Sequence, residues 1–427
     1  MDKRLKTRWG LLALGTVVLL FAGIIYAWSL LKAPFANEFG WSDSALTFNF
    51  TLTMCFFCLG GLVSGLLAKK LSIGVRILIA AVLVGAGFGI VSALGANNVF
   101  LLYVGYGFMT GSGIGIVYNV VISAVNAYFP DRRGISSGAM MMGFGFSALT
   151  VGNVVVKLFE IDAIGWRRAY LFLGLALAAI FVVAALVLKE PPADLVFPQP
   201  RAKSTVNAAA EDFTSLRMIK SVSFWKLFIF FVLIDAVGST AIAGAKGQFE
   251  ALGAVESAAL LAGLLTVCNG LGRIISGALF DTLGLRRTQY ISSGVVIVAT
   301  ALALCGYAFG LEAAGVAGLL LCGCSYGFSP TLSSAFVSAF YGKKHFALNF
   351  PILNLVLIPA SFVPTIMSGM TLTASFAVLV VFSIIGLIIN ISIKKASMKQ
   401  KSVRGMLLGR FFIYKFFLIA RLLLTRG

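Results

Sequence analysis

The stretch Leu260-Leu-Ala-Gly-Leu-Leu-Thr-Val-Cys-Asn-Gly-Leu-Gly-Arg-Ile-Ile-Ser-Gly-Ala-Leu-Phe280, followed by Asp281-Thr-Leu-Gly-Leu-Arg-Arg287, decides how the rest of the chain is read. About twenty apolar or small residues in a row are enough to cross a bilayer as a helix. One full charge, Arg273, stands inside that run. An arginine at such depth costs at least ~2.5 kcal/mol on insertion scales, so it faces a polar cavity or a partner and marks a binding site.

Composition agrees with a membrane location. Of 427 residues, 59% are hydrophobic and 11% charged, and the mean hydropathy is +0.99. A soluble domain carries roughly 25% charged residues. The net charge of +19 does not indicate nucleic acid, because the cations lie in short loops and tails between apolar spans. The run after Lys3, Arg4, Lys6 and Arg8 extends from Trp9 to Leu31 with no small-residue cleavage site after it. That is longer than a signal core of ~15 residues, so it reads as the first span. Cys55, Cys58, Cys268, Cys305, Cys322 and Cys324 all fall in apolar runs. Cys55 and Cys58 have metal-site spacing but no second ligand pair, so no metal and no cofactor is expected.

Twelve spans follow from the apolar runs and their charged, glycine or proline ends. They cover 9–31, 45–68, 77–95, 99–127, 135–156, 169–188, 224–245, 257–280, 288–309, 314–341, 346–370 and 373–393. Lys and Arg alternate sharply between the two sets of loops. One set, which includes both termini, holds 28 of the 34; the other holds Lys32, Lys157, Arg167, Arg168 and Lys246. The bias predicts a cell (inner) membrane protein with both termini in the cytoplasm. The predicted fold is all-α, with twelve transmembrane helices in two parallel-repeat six-helix halves. The halves are 1–188 and 224–393, joined by a cytoplasmic loop at 189–223 and followed by a basic tail at 394–427. Within that tail, 406–420 is apolar but interrupted by Arg410 and Lys415, the pattern of an interfacial helix.

The halves repeat. Gly60-Gly-Leu-Val-Ser-Gly65 matches Gly272-Arg-Ile-Ile-Ser-Gly277, and Ala127-Tyr-Phe-Pro-Asp-Arg-Arg133 matches Ala339-Phe-Tyr-Gly-Lys-Lys-His345, both at an offset of 212. Parallel repeats with a site between them near the midplane are the layout of a secondary transporter.

Apart from Lys226 at one edge, the spans hold two formal charges, Arg273 and Asp235. Counted from Trp225 and Asp281, both lie on the order of 12–15 Å from the cytoplasmic edge, on consecutive helices. Two readings are compatible: a structural ion pair, or an anion-binding Arg273 that Asp235 holds when the site is empty. Arginine suits an anion because its planar fork grips a carboxylate bidentately and keeps its proton. Asn269, one turn earlier on the same face, is expected to orient it. Tyr26, Trp28, Tyr118, Asn119, Phe144, Tyr326, Asn349 and Asn354 are the further candidates to line a cavity, each with packing as its plainer role. Glycines crowd spans 4 and 5, and Gly111-Ser-Gly-Ile-Gly115 follows no strand, so close helix packing explains them better than a nucleotide loop. His345 is the sole histidine and sits at a helix end, outside the spans.

With these residues in hand, the chain over 9–393 resembles the major facilitator superfamily. Gly277, Asp281, Gly284, Arg286 and Arg287 are similar to that superfamily's gating loop motif, here after span 8. After span 2 the same motif is degenerate, with Lys69 where the acid would stand. Within the superfamily it is similar to the oxalate:formate antiporter family. That likeness rests on Tyr26-Ala-Trp-Ser-Leu30, Gly113-Ile-Gly-Ile-Val-Tyr118, Phe129-Pro-Asp-Arg-Arg-Gly134 with Ser137-Gly138, Phe224-Trp225 and Gly272-Arg273. The resemblance implies that Arg273 binds substrate carboxylate. It also implies a lysine in span 11 for oxalate, but Phe346-Ala-Leu-Asn-Phe-Pro-Ile-Leu-Asn-Leu355 has none, and Leu353 falls at or near its place.

The expected function is therefore alternating-access transport of a small organic anion, a monocarboxylate above all, by a monomer in the lipid bilayer. One fixed cation matches one carboxylate, whereas a dianion leaves a charge unpaired. Oxalate or dicarboxylate:formate antiport and proton-coupled monocarboxylate symport remain alternatives, and from another class a transport-inactive sensor. A cation or drug exporter needs a membrane-embedded acid in the N-terminal half, and spans 1–6 contain none, which disfavours a sugar symporter similarly; an intramembrane enzyme needs paired acids or a metal cluster, and the spans show neither.

Overall fold

A computed structural model describes residues 3–96, 98–129, 133–192, 212–342 and 344–393, apart from the side chains at 3–6, 133–135, 281 and 347. The basic tail, most of the 189–223 loop and the Asp281 side chain therefore lie outside the described residues. Twelve helices are long and apolar enough to cross a membrane. They are Thr7–Phe39, Asp43–Leu67, Ile73–Ser92, Val99–Ala127, Ser136–Phe159, Gly165–Val187, Val222–Ala243, Ala258–Phe280, Leu285–Phe309, Glu312–Tyr341, Leu348–Met367 and Leu372–Ser392, numbered here as spans 1–12.

Several ends are set by hydroxyl caps, which satisfy main-chain donors that a helix start leaves open. Ser42, Ser72, Ser221 and Thr371 each accept from the amide three residues on. Span 1 runs eight residues past the expected end at Leu31. Lys32 does not stop it, because its ammonium pairs with Asp43 and Pro34 restarts a helix at Ala33–Phe39. Gly40 in the left-handed region ends that helix. Span 3 starts at Ile73, four residues early, and takes Arg76 with it. Arg76 is buried and donates to the Ser64 and Ser72 carbonyls at 3.2 and 3.4 Å, which ties span 3 to span 2.

Packing follows the repeat. Spans 2 and 4 pack together, as do 3 and 6, 3 and 4, and 1 and 5; spans 8 and 10, 9 and 12, 9 and 10, and 7 and 11 do the same. Large apolar side chains such as Val82, Leu175, Leu186 and Ile388 face outward on spans 3, 6 and 12, as a bilayer requires. Close contacts match residue by residue. Gly60 lies against the Ser112 carbonyl and Gly272 against that of Cys324. Gly115 lies against the Phe57 carbonyl, Gly327 against that of Asn269; Gly111 sits on Thr53, Gly323 on Leu265. Every pair is separated by 212. At these positions a Cβ would collide with the neighbouring main chain, so glycine sets the helix spacing.

Spans 2 and 11, and spans 5 and 8, join the halves. Near the end of span 2 remote from the termini, Thr51 Oγ1 donates to the Ser361 carbonyl at 2.5 Å and lies 2.8 Å from Thr365 Oγ1. Cys58 Sγ donates to the Asn354 carbonyl at 3.5 Å. Spans 5 and 8 meet through glycine, at Gly145 and Gly270 and at Leu149 and Gly263.

Candidate functional site

Arg273 projects from span 8 at the seam between the halves and is 3% exposed. Gly327 and Thr331 bring span 10 against its backbone, and Thr331 Oγ1 donates to the Arg273 carbonyl at 3.2 Å. Across the seam, the Phe144 ring of span 5 lies 5.9 Å from the Arg273 Cζ. A cation so placed is attracted to the ring face. Phe144 in turn meets Tyr26 and Tyr118, each at 5.2 Å between ring centres, and Phe57 at 6.1 Å. Tyr26 comes from a 3₁₀ stretch of span 1, Gly23–Ala27. Gly23 packs so close to the Phe144 carbonyl that no side chain would fit, which brings Tyr26 to the site.

The C-terminal half closes the cluster. Tyr26 and Tyr326 are 6.0 Å apart between ring centres. Tyr326 packs directly over Gly238, one turn of span 7 beyond Asp235. Tyr118, Tyr26 and Tyr326 are neighbours of the Arg273 guanidinium, and Ser329 and Arg273 are neighbours of the Asp235 carboxyl. Asp235 is 1% exposed.

The expected contact between the two charges is absent: no Asp235 oxygen lies within 4.0 Å of an Arg273 nitrogen. Tyr26 and Tyr326 are neighbours of both charges. Arg273 Nε and Nη1 and both Asp235 oxygens are buried and without a hydrogen-bond partner. Such groups are costly to leave unmet. Asn269 does not orient Arg273, since neither atom of its amide has a partner. Arg273 is held instead through its main chain, by Thr331.

Other candidates serve elsewhere. Asn119 Nδ2 donates to the Gly61 carbonyl at 2.8 Å, the same strut that Thr331 makes to Arg273 at the 212 offset. Trp28 donates to the Leu46 carbonyl at 2.8 Å and lies against Tyr106, away from the cluster. Asn349 donates to the Phe213 carbonyl at 3.0 Å and accepts from Ser215 at 2.7 Å, pinning the end of the central loop. Asn354 offers only its main-chain carbonyl, to Cys58. In the loop motif, Gly284 adopts φ +79° in the tight turn between spans 8 and 9, and Arg286 donates to the Ile393 carbonyl at the end of span 12. Gly277 is half-buried with Thr331 nearby, and Arg287 shows no resolved contact among the described residues. Sequence reading missed Phe57, Ser239 and Ser329. Ser239 is one turn from Asp235, and Phe57 is the repeat counterpart of Asn269. An apolar crevice of about 370 Å³ between spans 2, 3 and 4, lined by Leu59, Val63 and Phe108, does not include the cluster.

Arg273 is thus buried at the seam between two six-helix repeats, and the Major Facilitator Superfamily profile matches residues 12–357. The chain belongs to the major facilitator superfamily. It is a multi-pass membrane transporter and not an enzyme. It is 26% identical to the oxalate:formate antiporter of Oxalobacter formigenes over 354 residues, 81% of this chain and 80% of that one. Against monocarboxylate transporter 11 of Mus musculus it is 34% identical over 86 residues, 20% of this chain and 19% of that one. The fold is that of the xylose transporter XylE from E. coli in a partially occluded inward open conformation: TM-score 0.64, 12% identity, covering 89% of this chain and 98% of that one.

Proposed function

We propose that this superfamily member carries small organic anions, monocarboxylates first, by alternating access, with the substrate carboxylate on Arg273. The observation that carries the reading is the Arg273 guanidinium, buried at the seam with Nε and Nη1 unpartnered. In a low-dielectric site its fork gains a charge-assisted pair when a carboxylate arrives. Phe144, Tyr26, Tyr118 and Tyr326 cluster at Arg273, and their rings suit a small, partly apolar anion. Leu353, at or near the place where a second cation is expected for oxalate, is buried, so a dicarboxylate would keep one charge unpaired. The similarity to an oxalate:formate antiporter and, over a short segment, to a monocarboxylate transporter supports the substrate class. The proposed location is the cell (inner) membrane with both termini cytoplasmic, and the unit a monomer.

The test is counterflow in proteoliposomes with labelled formate, acetate, lactate, pyruvate and oxalate. Monocarboxylates should exchange, and Arg273→Ala should abolish exchange. Unchanged exchange by that variant would falsify the assignment.

A further inference from the structure

Arg273 accounts for one end of a bound anion. The other side of the cluster is built differently. Asp235 presents two buried oxygens with no partner, and one turn along the same helix Ser239 presents a buried, unpartnered hydroxyl. Tyr326 adds a second unpartnered hydroxyl, and its ring lies over Gly238, between those two positions on span 7. Ser329 faces Asp235 from span 10, yet neither carboxyl oxygen reaches a hydrogen-bond partner. Ser239, Ser329, Tyr26, Tyr326, Cys58 and Arg273 are the polar or titratable groups near this carboxyl. These groups form a second polar pole near the Arg273 guanidinium.

We propose that the substrate is a short hydroxy monocarboxylate, whose hydroxyl hydrogen-bonds Asp235 while its carboxylate rests on Arg273. The inference rests on the reading of Arg273 as the carboxylate site. Its logic is donor and acceptor matching. A carboxylate accepts only, whereas a hydroxyl both donates and accepts, so it fits Asp235 whether or not the acid carries a proton. An alkanoate brings only hydrogen-bond-inert CH groups to this pole and leaves buried oxygens unmet. An ionised second carboxylate would meet Asp235 as a like charge. A site that hydrogen-bonds a hydroxyl rejects the analogue lacking it far more strongly than an apolar pocket rejects one methylene. Ser239 and Tyr326 can then relay the bond to neighbouring groups, which makes the hydroxyl part of a connected network.

The experiment is competition for counterflow in proteoliposomes, with matched pairs that differ by one hydroxyl: lactate against propanoate, and glycolate against acetate. For the intact protein the hydroxy acid should compete at roughly tenfold lower concentration or better. Asp235→Leu should reduce that preference to about twofold or less, while Asp235→Asn, which keeps an acceptor, should retain most of it. The wild-type comparison needs no variant to fold. Equal competition by lactate and propanoate, with both abolished by Arg273→Ala, would overturn the hydroxyl assignment and leave the carboxylate site standing. Survival of both in Arg273→Ala would overturn the carboxylate site itself.

Discussion

Gly145 of span 5 and Gly270 of span 8 face each other across the seam: a Cβ built on Gly145 would stand 2.7 Å from the Gly270 Cα. This close approach, one turn from Arg273, brings the ring of Phe144 over the guanidinium. Gly145→Val should therefore pry the two helices apart and cut counterflow at least tenfold, with a loss of thermal stability of about 1–3 kcal/mol from overpacking. Gly138→Ala is the control, because a Cβ there lies 4.0 Å from the nearest atom, on Ile274, and transport should change little. Equal tolerance of both would mean that the seam is looser than its glycines imply.

Arg273→Lys separates charge from shape. The ammonium keeps the charge but loses the fork, so uptake should fall to about a tenth of wild type or below. Full activity in that variant would show that only the charge matters.

Asp235→Asn bears on how the two charges depend on each other. Breaking a contact ion pair strands a buried charge at a cost of ~3–5 kcal/mol. Here no such contact exists, so the amide variant should accumulate normally and bind anion at least as tightly as wild type. Detergent-extracted yield and a ligand-induced shift in melting temperature read both. Loss of the folded protein would show that Arg273 needs the charge of Asp235 in spite of the gap.

The matching struts give a paired comparison. Asn119→Ala and Thr331→Val each remove one side-chain bond to a main-chain carbonyl, worth about 0.5–1.5 kcal/mol. Their stability losses should be similar, but only Thr331→Val should raise the KM for uptake, since Thr331 holds the backbone of Arg273. A larger KM effect from Asn119→Ala would return that residue to the substrate path.

Orientation is open to a direct test. On the proposed orientation the residues after Ile393 are cytoplasmic, so a C-terminal reporter active only outside that compartment should stay silent. Signal from the fusion would contradict the charge rule for this chain.

Most of the fold could be read because bilayer spans are local: each is an apolar run with polar ends. Span 1 was misjudged where a local rule met a distant partner, Asp43 neutralising Lys32. The repeat was legible from two short matches, and the glycine contacts extend it to helix packing. The site was harder. Arg273, Tyr26, Tyr118, Phe144 and Tyr326 converge because each is an unusual or bulky residue on a span that borders the seam. Trp28, Asn119 and Asn349 look equally suitable in sequence, but their partners, Leu46, Gly61 and Phe213, lie 18, 58 and 136 residues away. No pattern of composition predicts which carbonyl a side chain will reach.

The 212-residue correspondence matches Arg273 with Gly61. Two equivalent seats exist, and one is empty of side chain. If the anion is anchored on Arg273 as proposed, the C-terminal half is the vehicle and the N-terminal half the moving wall. Cargo would then travel fixed to one frame while the aromatic face of the other slides past it. On that reading, symmetry of the frame supplies two alternating openings, and asymmetry of the charge hands a single passenger through both.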